Sequence, residues 1–232
     1  MNYKRVIELS FLGLFALGVG IALLIHQSYD QWLTQLVQAS GRKVGGGALE
    51  VEDLKWLVAE QKLSLSSAQW FDGETAGEAW FSVAASQWQL PANAWQGALF
   101  HTERFAVNGV TLRVKQEGLS TNINRLIKRV EAVVIEAEKQ RKGTEALLFK
   151  LDSVALLNVQ VELTTLKHGV LRWNIPELIL PRHSNEPGLA FDVLLQQITL
   201  QLLYELKLQT TQHLLSLTEP VEPAIPVPSN SQ

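Results

Sequence analysis

Leu9 to Ile25, LSFLGLFALGVGIALLI, runs for seventeen residues without a charge and with a single hydroxyl, Ser10. A helix of that length spans roughly 26 Å, near the short end of a bilayer crossing. Lys4 and Arg5 precede the run, and the next basic residues are Arg42 and Lys43. The positive-inside bias therefore places a short N-terminus in the cytoplasm and everything after His26 across the membrane. A cleaved signal peptide needs small residues at an A-x-A-like site, and Ala22-Leu-Leu-Ile-His-Gln27 offers none. A soluble core helix rarely carries so long an uncharged run at a chain end. The expectation is an uncleaved anchor.

The rest of the chain is long enough for one domain with a sizeable core or for two small ones. A net charge of -3 gives no basic excess, so nucleic acid is not an expected partner. There is no cysteine, which excludes thiol chemistry, cysteine-ligated metals and disulfides.

Gln27 to Ser40 reads as an amphipathic helix, with Tyr29, Trp32, Leu33, Leu36 and Val37 on one face. Ser40-Gly41 supplies its stop. Tyr29 and Trp32 are candidates for the membrane interface, and capping of the following sheet is an equally good use of that face. Gly41-Arg-Lys-Val-Gly-Gly-Gly47 lacks the GxGxxG spacing and a following GK[ST], so its glycines read as a turn into a strand, not a phosphate loop.

From there to Gln116 the period is two. Asn108-Gly109 between alternating apolar residues predicts a two-residue I′ hairpin, since both turn positions take positive φ. After it Val110, Leu112 and Val114 share one face. Thr121 to Lys142 switches to helical spacing, with Thr121 or Asn122 as cap and Gly143 beyond. Leu147 to Leu166 returns to strands, where Val159, Val161 and Leu163 alternate with polar residues. The fragment LNVQVEL (157–163) echoes NGVTLRV (108–114), as one sheet unit used twice. His168 to Leu180 gives another strand pair or a bent strand, and Pro176 predicts an edge or a bulge there. Gly188 to Leu217 fits a helical face and a strand alternation alike, and its length and Leu, Gln, Glu and Lys content favour helix. The last stretch, EPVEPAIPVPSNSQ, carries four of eight prolines and reads as a disordered or extended tail.

No chemistry is concentrated anywhere. The five histidines share no short spacing, no serine sits in a GxSxG frame, and no metal-ligand cluster or cofactor motif is present. No catalytic residue is predicted, and the expectation is a protein that is not an enzyme. What stands out is the supply of apolar side chains on one-sided strands, with Trp56, Trp70, Trp80, Trp88, Trp95 and Trp173. They fill an ordinary core, or part of the sheet's apolar face stays open as a groove for an acyl chain. For lipid contact the candidates are Val110, Leu112, Val114, Val159, Val161 and Leu163.

The order of parts resembles a known family. The apolar run is followed by LVQASGRKVGGGALEVEDL, FAVNGVTLRV, GLSTNINRLIKRV, FKLDSVALLNVQVEL and LRWNIPELIL before a terminal helix. This looks like the AsmA-like family of Gram-negative envelope proteins. The resemblance implies a single-pass inner-membrane protein with a periplasmic β-rich domain, in a family implicated in phospholipid transport and outer-membrane assembly. Larger members resemble bridge-like lipid transfer proteins. This chain is too short to cross an envelope alone, which points to a short module, an oligomeric stack or an accessory to another protein.

The expected fold class is α+β. A cytoplasmic tip and transmembrane helix (1–27) precede a mainly antiparallel, curved or groove-like sheet domain with two or three amphipathic helices (28–217). The Pro-rich tail (218–232) comes last. The expected function is envelope maintenance through the handling of phospholipid, with membrane lipid as partner and with room for envelope proteins or further copies of the chain. The alternative is a scaffold subunit of an inner-membrane assembly, as in secretion or pilus systems.

Overall fold

The computed structural model describes residues 30–57, 60–73, 78–91, 94–96, 99–118, 120–133, 148–180 and 188–218. The run Leu9–Ile25, Tyr29 and the tail 219–232 lie outside them. Among the described residues no helix is long and apolar enough to cross a membrane.

In chain order, helix α1 covers 30–45. After it come strands β1 (Leu49–Glu52), β2 (Lys55–Leu57), β3 (Lys62–Leu65), β4 (Ser67–Phe71), β5 (Ala79–Val83) and β6 (Ser86–Gln89). Next are β7 (Trp95–Gln96), β8 (Leu99–Thr102), β9 (Phe105–Asn108), β10 (Val110–Glu117) and β11 (Ser120–Thr121). Helix α2 (Asn122–Ala132) leads to β12 (Leu148–Leu151), β13 (Val154–Thr165), β14 (Gly169–Leu180), β15 (Leu189–Ala190) and helix α3 (Phe191–Thr218). The fold is α+β, and the ambiguous C-terminal stretch is helical.

The expected mainly antiparallel sheet is corrected. The main sheet is mixed, in the order β1-β4-β5-β10-β13-β14, with β9 also on β13 and β11 on β10. Both β9 and β10 run parallel to β13, and β8 runs parallel to β12 in a second sheet, β15-β12-β8-β7. A third, antiparallel sheet is β2-β3-β6. From Leu99↔Leu148 to Lys115↔Thr164 the paired residues keep one offset of 49 positions. The sequence echo is this register: Leu112 lies opposite Val161, and Val114 opposite Leu163. Parallel strands need a long crossover, and α2 lies within it.

The hairpin at Asn108-Gly109 is corrected with it. An I′ turn needs positive φ at both residues, but only Gly109 has it, at +70°. β9 and β10 therefore do not fold back on each other. They lie end to end along β13 as one strand with a bend. β13 bends at the same level, where Asn158 takes φ +51°. On β14 the residue opposite is Pro176, and the β13–β14 register is interrupted at that pair alone. The expected edge and irregularity at Pro176 are both present, since β14 ends the sheet.

These three bends form a crease that reverses which residues face inward. On β9 Val107 is buried, whereas on β10 the buried set is Val110, Leu112 and Val114. On β13 Val154 and Leu156 give way to Val159, Val161 and Leu163, and on β14 Leu171, Trp173 and Ile175 give way to Leu178 and Leu180. The crease divides the inner face into two regions, one beside α2 and one beneath α1 and the N-terminal half of α3.

α1 runs past Ser40-Gly41, the expected stop, to residue 45. Its glycines serve close packing. A Cβ at Gly45 would sit 2.7 Å from the Trp70 indole. At the start of α2, Thr121 makes no side-chain cap bond. Asn122 is turned toward β10, where its Oδ1 accepts from Lys115 N at 2.9 Å and its Nδ2 donates to Arg113 O at 3.3 Å.

Candidate apolar binding cavity

The six residues expected to touch lipid are brought together, but beside α2. Val110, Leu112, Val114, Val159, Val161 and Leu163 are each at most 1% exposed. They belong to a closed core with Ile123, Leu126 and Val130 of α2 and Leu203 and Leu206 of α3.

Across the crease the inner face is not filled. A cavity of about 300 Å³ lies there, with Phe105, Val107, Val154, Leu156 and Leu180 of the main sheet on its floor. Ala68, Trp70, Phe81 and Val83 of β4 and β5 continue that wall. Leu33 and Val37 of α1 and Leu194, Leu195, Ile198 and Leu202 of α3 line it from the helical side. The two smaller sheets close the flanks with Trp56, Leu63 and Trp88, and with Phe100, Phe149 and Leu151. Every layer of the fold thus contributes apolar surface to one space, and none of the six expected residues lines it.

Polar atoms are nearly absent from the lining. Thr199 Oγ1 donates to Leu195 O at 2.7 Å within its own helix. Trp88 Nε1 donates to Ala106 O. The indole N–H groups of Trp70 and Trp80, whose rings tilt together at a centroid distance of 5.4 Å, are buried without an acceptor among the described residues. Among the described residues no charged side chain lines the cavity. Such a lining is compatible with hydrocarbon.

Protein interiors hold few voids larger than a water molecule. A half-open apolar space of about 300 Å³ leaves the side chains around it without partner atoms on one side, so they forfeit dispersion contacts there. An apolar cavity of about 150 Å³ already stays dry and takes up benzene.

A buried ion network lies at α2, across the crease from the cavity. Asp72, 2% exposed, pairs with Arg125 and with Arg129, the latter at 2.9 Å. Arg125 also holds Glu117 through both carboxylate oxygens at 2.8 and 2.7 Å. Burial pushes the Asp72 carboxyl up, but the hydrogen bonds and charges of Arg125 and Arg129 outweigh it and hold it below the usual range. Arg129 further donates to Gly45 O at 3.4 Å, tying α2 to the end of α1.

Other polar pairs assemble no chemistry. His101 Nε2 lies 3.1 Å from Asp152 Oδ2, but the adjacent Ser153 hydroxyl donates to Glu103 O instead. Among the described residues no group of three or more His, Asp or Glu is placed to hold a metal. Trp32 lies on α1, 36% exposed.

Alternation counted from Val110 onward misses the floor of the cavity, although the signal lies in the same segments. Phe105 and Val107 are odd-numbered and Val110, Leu112 and Val114 even-numbered, so one face is continuous only if the chain reverses its facing at Asn108-Gly109.

No family model, no curated protein and no solved structure matches this chain.

Proposed function

We propose that the protein holds the hydrocarbon chain of a membrane lipid in this cavity and serves envelope maintenance by handling lipid, as a short AsmA-like protein. The observation that carries the reading is the cavity itself, about 300 Å³ of space with an apolar lining drawn from every layer. That volume is at the low end for ligand sites, which suits one acyl chain and leaves a second chain and the headgroup outside. The protein works by binding, and among the described residues no charged group lines the cavity. The uncharged run Leu9–Ile25 behind Lys4 and Arg5 supports a place at the bacterial inner membrane, with the domain on the periplasmic side. The described part of α1 starts at residue 30 and contributes Leu33 and Val37 to the cavity, so that run and the cavity are close along the chain.

The test is native mass spectrometry and lipid extraction on the purified full chain, beside Ala68→Phe. Ala68 lines the cavity, so the larger side chain occupies the ligand's space. Bound lipid in the parent and its loss in a folded A68F are expected. A parent that carries no lipid and takes up no fluorescent fatty acid refutes the reading, and so does an A68F protein that retains lipid in full.

A further inference from the structure

β14 is twelve residues long, ends the main sheet, and has no strand on its outer edge among the described residues. Long unpaired edges template pairing with another chain. Two large apolar side chains stand exposed near its ends, Val170 at 49% and Ile179 at 61%.

The sequence of this strand is self-complementary. Read outward from the middle of Val170-Leu-Arg-Trp-Asn-Ile-Pro-Glu-Leu-Ile179, an antiparallel second copy sets Arg172 against Glu177, Leu171 against Leu178 and Val170 against Ile179. In a strand of unbroken alternation such pairs would face opposite sides of the sheet. The crease at Pro176 removes that conflict. Leu171 and Leu178 both face inward, while Val170, Arg172, Glu177 and Ile179 are all outward and exposed. A two-fold axis perpendicular to the sheet keeps each face on its own side, as an isologous contact requires. The two-fold axis falls between Asn174 and Ile175, where inward Trp173 and Ile175 would meet outward Pro176 and Asn174 of the second copy. These central positions stay unpaired, Pro176 having no N–H to offer, and the ladder forms in two arms, 170–172 of each copy against 177–179 of the other.

The charged pair has capacity to spare. Arg172 uses Nε toward Glu162, which Arg113 also engages, and its side chain remains 60% exposed. Glu177 accepts from Arg104 through Oε1, with its side chain 42% exposed.

We propose that β14 is the seam of a homodimer, in which the exposed edge strand pairs antiparallel with its counterpart in a second copy of this chain, Arg172 of each opposite Glu177 of the other. Opposite charges and apolar pairs directly across a seam each favour it, and the two sheets become one. The two cavities then lie on the same side of the joined sheet.

The chain has no cysteine, so an engineered disulfide reports the register directly. Directly paired residues in an antiparallel ladder have Cα separations of about 4.5–5.5 Å, within disulfide range. In V170C/I179C each thiol meets the other position's thiol in the second copy. Within one chain the two positions are too far apart along the strand to bridge. Oxidation of the full-length double variant is expected to give a disulfide-linked dimer, while V170C and I179C alone give at least tenfold less. In that background R172E is expected to cut the dimer yield at least fivefold, and R172E/E177R to restore it, because the swap rebuilds both ion pairs. A double variant that stays monomeric, single variants that crosslink equally well, or a charge swap that fails to restore a folded protein's crosslinking overturns the proposal.

Discussion

Asn158 Nδ2 donates to Asn108 Oδ1 at 2.8 Å, joining the bends of two strands that lie parallel. The backbone N–H of Gly109 donates to Leu157 O at 3.0 Å at the same level. Bends in adjacent strands have to coincide, because a strand that reversed its facing alone would set its apolar side chains against its neighbour's polar ones.

Asn158 is the non-glycine residue of this crease that takes a positive φ, at +51°. Asparagine tolerates that region and a β-branched residue does not. Asn158→Val is expected to cost about 1–2 kcal/mol and Asn158→Gly well under that. Urea unfolding of the two variants checks it, and equal midpoints would remove the conformational argument.

The two sides of the crease should respond differently to truncation. Leu112→Ala opens a hole in the closed core and is expected to cost about 2–5 kcal/mol while leaving lipid capture intact. Leu156→Ala enlarges a space that already exists, and is expected to shift the preferred acyl length upward. Competition between fatty acids of graded length reads the difference. A shift from L112A and none from L156A would place the ligand on the wrong side.

Gly45 leaves no room for a side chain beneath Trp70. Gly45→Ala is expected to push the indole toward the cavity, to cost about 1–3 kcal/mol and to move the tryptophan emission. An unshifted spectrum with unchanged stability would show that α1 yields instead.

Asp72 makes an acid-side prediction. Its carboxyl is held below its ordinary value in the folded state. Its contribution is therefore present above about pH 4, the ordinary carboxylate value, and is lost as pH falls through the lower folded value. Asp72→Asn is expected to cost about 2–4 kcal/mol at neutral pH. It should also flatten the fall in stability below pH 4. Urea titrations at pH 3 and pH 7 measure both, and a variant whose stability drops as steeply as the parent's would assign the acid response elsewhere.

Much of the domain was legible residue by residue. The alternation of β10 and β13, the irregularity at Pro176, the stripe of α2 and the helical character of α3 follow from spacing and composition. Strand direction did not. Period two is the same for parallel and antiparallel neighbours, and Asn108-Gly109 carries the strongest local signal for a hairpin. Tertiary pairing overrode it, and the contrary signal was the intervening helix, since strand–helix–strand order favours parallel neighbours. The cavity was invisible for a different reason. Side chains at Ala68, Leu156 and Leu195 look like any core, and only the distance between layers shows that they fail to meet.

The constant offset of 49 residues also sets a timetable. A hairpin would let β10 satisfy β9 within moments of both being made. Here β10 can pair with β5 on one side, but its other side, and β9, have no strand to join until β13 exists. At about 5–20 residues per second, synthesis leaves those strands waiting roughly 2–10 s. Non-local pairing of this kind is slow to form even once the chain is complete. Throughout that interval Val107, Val110, Leu112 and Val114 stand uncovered. Survival of the newborn chain therefore depends on whatever shields that half-built surface.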